Sequence, residues 1–282
     1  MAAGGPLRGP CAGCVPVSPL PDEDLRRLRT WITRSWGLAA GEYRASFLER
    51  RLAPRLRATG ISSVQAYLAH ADSHPAEARA FLGKLLVPTT EFFRNPEVFD
   101  RLQSFLAVRA GRPGWETLRL LSAPSSTGEE TYSLAALLEE RGIRGRILAA
   151  DRSRASLRTL SRGEYPPRTL RTLNRERFSR YFRAEEDAVS VAPALRRRVL
   201  AVCADLTQGL PGRGFHAVVM RNLFIYLTEE AQARILREVH GALVPGGLLV
   251  LGRVEAPARA CSGMFAVLDR EARIYERAGR AE

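Results

Sequence analysis

Two adjacent carboxylates, Glu129 and Glu130, follow a run of small residues, Ser122-Ala123-Pro124-Ser125-Ser126-Thr127-Gly128. Small residues let a ligand approach the backbone, and a turn leading from a strand into a helix is where open α/β sheets bind nucleotide-like molecules. Two neighbouring acids repel phosphate and suit a cationic ligand instead. The same pair is also what the first turn of an ordinary helix favours, because the helix dipole stabilises negative charge there. Spacing alone leaves both meanings open.

S-adenosylmethionine is a cation of the right kind, with a sulfonium and an ammonium group, and Glu129 can pair with its amino-acid part. Further along stands Asp151 in Ala149-Ala150-Asp151-Arg152-Ser153. An acid ending a second strand can accept hydrogen bonds from both hydroxyls of an adenosine ribose; it can equally cap the helix that follows. A third group is Val218-Val219-Met220-Arg221-Asn222-Leu223-Phe224-Ile225-Tyr226. Arg221 and Asn222 come where a buried strand emerges at the ligand edge of a sheet, or else tie down local backbone. Thr90-Glu91-Phe92-Phe93-Arg94 reads by itself as two packed rings beside an arginine.

Two kinds of architecture must position these groups. From Leu20 to about Phe105 the apolar residues recur at helical spacing. Leu25, Leu28, Ile32 and Trp36 form one stripe that Gly37 ends, and Phe47, Leu48, Leu52 and Leu56 form a second that Gly60 ends. Pro54 is expected to kink or split that second helix. Further helices are predicted near 64–71 and 76–86. After Trp115 short apolar runs alternate with helical stretches, the pattern of a mostly parallel sheet with crossover helices. Strands are predicted at 118–123, 146–150, 199–203, 217–220 and 248–252, the last entered through a Gly246-Gly247 turn. A hairpin over 264–276 closes the pattern. The expected division is a disordered leader 1–20, a helical domain 21–88 and an α/β domain 89–282, with an arginine-rich insert at 166–198.

Composition narrows the class. No run approaches the ~20 apolar residues that a spanning helix needs, and the first residues lack a secretory pattern, so a protein of the cytoplasm, not inserted in a membrane, is expected. Cys11 and Cys14 form a lone CxxC without the further ligands of a zinc site, and no metal is expected. The net charge is +13, which fits nucleic acid or an acidic partner. The arginines are spread along the chain with no basic tail, which weakens the nucleic-acid reading; an acidic protein partner fits at least as well.

Taken in order, these segments resemble the CheR-type glutamate O-methyltransferases of chemotaxis. That family has T-x-F-F-R at the domain junction, S-x-G-E-E-x-Y-S-x-A after the first strand, an acid ending the second, R-N-x-x-I-Y-F after the fourth, and P-G-G-x-L-x-L-G before a late strand. The likeness spans about Leu25 to Tyr275. It implies a Rossmann-like S-adenosylmethionine-dependent methyltransferase domain behind a small all-helical N-terminal domain. It also implies cofactor contacts at Thr90, Arg94, Glu129, Asp151, Asp205 and Asn222, with Asp205 near the adenine. Arg94 and Tyr226 would lie near the transferred methyl and orient the substrate carboxylate, and S-adenosylhomocysteine would be the product.

A glutamate acceptor has a reference pKa of ~4.3 and is already a nucleophile at neutral pH. No general base is needed, and none of the four histidines falls in a motif. The resemblance further implies that the helical domain meets acidic receptor helices, with Arg44, Arg51 and Arg55 sharing one basic face of the second helix. The family's receptor-tail tether uses a glycine-containing loop; Arg183-Ala184-Glu185-Glu186-Asp187-Ala188 has no glycine, so tight tail binding is not expected. Pro88, Pro124, Ser125 and Thr131 depart from the family pattern and motivate two alternatives. One is a non-catalytic module that binds S-adenosylmethionine or S-adenosylhomocysteine; the other is a methyltransferase acting on another protein or on nucleic acid.

Overall fold

The computed structural model describes residues 19–85, 90–170 and 173–279. The expectations for nearly all of the leader, for Cys11 and Cys14, and for Pro88 lie outside the described residues. The chain forms two compact units, Met1–Leu85 and Leu86–Glu282.

The first unit is helical: α1 (Asp22–Trp36), α2 (Ala45–Thr59), α3 (Val64–Ser73) and α4 (Pro75–Leu85). Three acids open α1, and Gly37 ends it in the left-handed conformation, its N–H donating to the Thr33 carbonyl. Leu28, Ile32, Phe47, Leu48, Leu52, Tyr67 and Phe81 form the core of this unit. Pro54 does not split α2, which runs unbroken through it. Proline removes one amide donor, but Pro54 and Arg50 both lie on the exposed side, where water can satisfy the orphaned Arg50 carbonyl.

The basic face expected on α2 is corrected at two positions. Arg44 precedes the helix, at its N-cap. Arg55 turns inward: its Nε donates to Glu77 Oε1 at 2.8 Å, its Nη2 donates to Oε2, and the Tyr67 hydroxyl donates to Oε1 at 2.7 Å. Arg51 lies over the Phe47 ring at 5.1 Å.

The second unit opens with α5 (Pro96–Arg109) and continues as β1 (Leu118–Ser122), α6 (Glu129–Glu140), β2 (Gly145–Asp151) and α7 (Arg154–Arg162). Then come β3 (Glu164–Tyr165), α8 (Arg175–Tyr181), β4 (Phe182–Ala184), β5 (Val189–Val191) and the single turn α9 (Pro193–Arg196). It ends with β6 (Val199–Cys203), β7 (Phe215–Met220), α10 (Glu229–Ala242), β8 (Leu243–Leu251), β9 (Phe265–Asp269) and β10 (Ile274–Arg277). Seven strands make the main sheet in the order β6-β2-β1-β7-β8-β10-β9. All pairs are parallel except those of β10, which runs antiparallel to β8 and β9 as the predicted hairpin requires. This is the Rossmann-like arrangement that the alternation of strands and helices implies.

From β1 the chain winds outward through β2 to β6; from β7 it winds the other way. The order reverses between β1 and β7, and ligands bind at the carboxyl ends of strands flanking such a reversal. Near-complete burial of Leu120, Leu121, Ala217, Val218 and Leu248–Leu251 makes this centre rigid. Gly246 and Gly247 lie inside β8 rather than forming a turn before it. The register with β7 shifts between Phe215 and Ala217, and Gly246 takes up the irregularity with a φ of 71°. The insert forms a small antiparallel sheet in the order β3-β5-β4, beginning at Glu164. No described helix is long and apolar enough to cross a membrane.

Candidate functional site

The turn from β1 into α6 is stitched to both neighbouring strands. Ala123 N–H donates to the Val219 carbonyl of β7 at 3.0 Å, and Ser125 N–H to the Ala150 carbonyl of β2 at 2.8 Å. Gly128 carries a φ of 101°, and a Cβ there would stand 2.6 Å from Leu160 Cγ and 2.9 Å from Tyr165 Oη. Only glycine lets α6 begin so close to its neighbours. Thr131, a departure from the family pattern, is absorbed internally: it is buried and its hydroxyl donates to Ser122 Oγ at 3.1 Å.

Glu129 is only 3% exposed, and Thr127 Oγ1 donates to its Oε2 at 2.6 Å. No ion pair to it occurs among the described residues, and burial pushes its carboxyl up to about 7. Nearby, the hydroxyls of Ser125 and Ser126 are buried without hydrogen-bond partners. A buried carboxyl with no cation and two orphaned hydroxyls on one ligand-facing turn fit a ligand that brings an ammonium and further polar atoms.

Asp151 bridges the two βα turns. Its Oδ2 accepts from Ser126 N–H at 2.7 Å and its Oδ1 from Ser153 N–H at 2.8 Å. Burial raises its pKa against the opposing pull of those amides. The helix cap weighed for Asp151 belongs to Ser153, which accepts from Ser156 N–H. Asp205 is paired with Arg152, and its Oδ1 also accepts from Thr207 N–H at 3.0 Å and Thr207 Oγ1 at 2.7 Å. Both its oxygens thus already hold protein donors.

At the end of β7, Arg221 is 6% exposed and acts as a hub. Its Nη1 donates to the Arg94 carbonyl at 3.1 Å and lies 3.3 Å from Glu130 Oε2, while its Nη2 donates to Asn95 Oδ1 at 2.7 Å. Burial raises the pKa of Glu130, opposed chiefly by the Arg221 charge. The next turn is held by Glu255, which is 3% exposed. Its Oε2 accepts from the amides of Asn222 at 2.9 Å and Gly252 at 2.7 Å, and its Oε1 from that of Ile225 at 3.2 Å. Asn222 adopts a φ of 62°.

A cavity of ≈ 210 Å³ gathers Thr90, Arg94, Asn222 and Tyr226, together with Ser125, Ser126, Glu130 and Ile225. Of the seven site residues expected from the sequence, these four line one space. Glu129 and Asp151 belong to the turns behind it, Asp151 through its bond to Ser126, and Asp205 lies farther round at the end of β6. The organising roles of Glu130 and Glu255 were missed. A lone acid after a strand, as in Gly252-Arg253-Val254-Glu255, is the available signal for the second.

Residues 88–272 match the family described as CheR methyltransferase, SAM binding domain, and residues 23–86 match CheR methyltransferase, all-alpha domain. The chain therefore belongs to the CheR methyltransferase family, and its cofactor is S-adenosylmethionine. It is similar to a chemotaxis protein methyltransferase of Klebsiella aerogenes, 34% identical over 250 residues that cover 84% of each chain. A chemotaxis protein methyltransferase of Salmonella typhimurium is 32% identical over 249 residues, again 84% of each. A probable biofilm formation methyltransferase, WspC, of Pseudomonas aeruginosa is 29% identical over 235 residues, which are 81% of this chain and 56% of that protein. The family supports S-adenosylmethionine-dependent methylation in chemotaxis.

Proposed function

We propose that the protein methylates glutamate side chains of chemotaxis-type receptors in the cytoplasm, forming glutamate methyl esters. The observation that carries this reading is the content of the cavity: a guanidinium at Arg94 and a phenol at Tyr226 suit a carboxylate acceptor, and of the two acids that share it, Glu91 and Glu130, the second is already engaged by Arg221 and Ser122. The histidines are engaged elsewhere; His216, for example, accepts from Arg119 N–H and donates to the Gly114 carbonyl behind β1. A carboxylate acceptor is ionised at neutral pH and needs none of these groups as a base. When bound, S-adenosylmethionine supplies an electrophilic methyl group on a positively charged sulfur.

Glu129 would hold the cofactor's ammonium and Asp151 its ribose, and the Ser125 and Ser126 hydroxyls would complete the cradle. Thr90 and Asn222 close the same cleft. Arg94 and Tyr226, which line the same cavity, would orient the acceptor carboxylate for transfer. Arg94 must hold it loosely, because the negative charge disappears as the ester forms and ground-state binding gives no acceleration. The helical domain, 21–88, would dock the receptor and the domain 89–282 would do the chemistry.

The test is transfer of a labelled methyl group from S-adenosylmethionine to a purified receptor signalling domain, followed by mild base. Label released as methanol is the signature of a carboxylate ester; base-stable label, or label in nucleic acid, would replace this reading.

A further inference from the structure

Arg94 sits in a segment whose backbone is under strain. Phe93 and Asn95 on either side of it have φ values of 51° and 62°, and non-glycine residues stay in this region only where their surroundings hold them. Asn95 is held by Arg221. Phe93 is held by α6 and by the insert. Its N–H donates to Ser133 Oγ at 2.8 Å, and Ser133 Oγ donates in turn to the Glu129 carbonyl at 2.7 Å.

The ring of Phe93 is covered by Arg177 of α8, whose guanidinium carbon lies 4.1 Å from the ring centre. Arg177 is itself aimed by Glu140 of α6, which accepts from its Nε at 2.8 Å and its Nη2 at 3.1 Å. Gln103 of α5 donates to the same carboxylate at 2.8 Å. The preceding residue is gripped by the insert as well. Phe92 packs edge-on against Tyr165 at 4.9 Å and Phe182 at 4.8 Å, and its N–H donates to the Thr169 carbonyl at 3.3 Å.

We infer that Arg177 is a positioning residue for methyl transfer: stacked on Phe93 and braced by Glu140, it holds the strained 92–95 segment so that Arg94 faces the acceptor. The insert therefore sets the catalytic geometry in addition to any contact it makes with a partner. A planar guanidinium suits the task, because it covers a ring face while forking onto a carboxylate, which an ammonium does less well. This inference rests on the role proposed for Arg94.

A double-mutant cycle tests it, read as turnover at saturating substrates with S-adenosylmethionine and a purified receptor signalling domain. Arg177→Ala is expected to lower kcat about tenfold and leave KM for S-adenosylmethionine within about twofold, with Arg177→Lys recovering part of the loss. In an Arg94→Ala background the same change should have no further effect on kcat. Equal losses in both backgrounds would overturn the positioning role while leaving Arg94 in place. An undiminished Arg94→Ala enzyme would remove the role of Arg94 and this inference with it.

A second measurement needs no acceptor. Amide hydrogen exchange at residues 92–95 should quicken in Arg177→Ala and in Glu140→Gln, with α5 and α6 otherwise unchanged. Unaltered exchange there would overturn the inference even if wild-type transfer could not be reconstituted.

Discussion

At the scale of single residues, Glu129 carries the most distinctive chemistry. Keeping it ionised inside the fold is costly, and its rise from 4.5 to about 7 corresponds to roughly 3 kcal/mol of penalty in the ligand-free protein. The penalty is present in full above pH 7 and is relieved as the pH falls toward 4.5, because the folded state then takes up the proton first. Cofactor binding has the opposite sign, since an ammonium needs the ionised carboxyl. Affinity for S-adenosylmethionine should therefore peak between about pH 7 and 8, falling by up to about tenfold per pH unit below that window and declining above it as the cofactor's α-amino group loses its proton. Glu129→Gln should flatten this profile and weaken binding, while raising the melting temperature of the free protein at pH 8. Calorimetric titration across pH checks both; an unchanged slope in the variant would count against Glu129 as the ammonium partner.

Asp151 is less simple as a test residue, because it also carries the Ser126 and Ser153 amides. Asp151→Ala should abolish measurable cofactor binding and also lower thermal stability, whereas Asp205→Ala should leave binding within about threefold if Arg152 and Thr207 are its main partners. Retention of binding by Asp151→Ala would overturn the ribose assignment.

At the scale of elements, the site depends on buried acids that tie one turn to another. Glu255 receives three backbone amides from two turns, and removing a buried acceptor leaves its donors unsatisfied, at about 1–3 kcal/mol for such a group. Glu255→Ala should lower unfolding free energy by about 3 kcal/mol in urea titrations and reduce transfer through the loosened Asn222–Tyr226 turn. In the helical unit, Arg55 and Glu77 are a fold contact: hydrogen bonding to Arg55 holds the Glu77 carboxyl below its usual value. That stabilisation is complete above about pH 4.5 and is lost as the pH falls through the lowered value. Arg55→Ala should thus lower the melting temperature at neutral pH, and receptor KM should change less than in a variant of exposed Arg50.

The elements themselves were largely legible, because buried parallel strands such as Ala217–Met220 are written as apolar runs and glycines mark the ends of α1 and α2. What escaped has physical reasons. Pro54 looked like a break because a proline inside a helix removes a donor and crowds the preceding turn, and sequence does not tell whether packing of the opposite face carries the helix through it. Arg44, Arg51 and Arg55 looked like one open stripe because the start of the helix is set by local geometry at Arg44, and the pairing of Arg55 with Glu77, on another helix, is a tertiary fact. Gly246-Gly247 looked like a turn because a bulge inside a strand uses the same residue. At the site, motif order led to Thr90, Arg94, Asn222 and Tyr226, which do line one cavity. Glu255 and Arg177 escaped because each acts on backbone or ring groups distant in sequence.

At the scale of the whole molecule, charge governs encounters. If the partner is the proposed acidic receptor surface, a chain of net charge +13 should associate with it faster at low ionic strength. Receptor KM should rise severalfold as salt increases from about 0.05 to 0.5 M, a range over which screening becomes strong, while kcat stays level. A salt-independent KM would argue for an apolar docking surface instead.

The buried, cation-free carboxyl of Glu129 has one further consequence. The ammonium it is proposed to receive is common to S-adenosylmethionine and to the spent S-adenosylhomocysteine, so this contact does not tell fuel from ash. A protein that grips both by the same handle becomes a competitive reader of their ratio. Receptor methylation would then follow the metabolic state of the cell as well as the stimulus outside it.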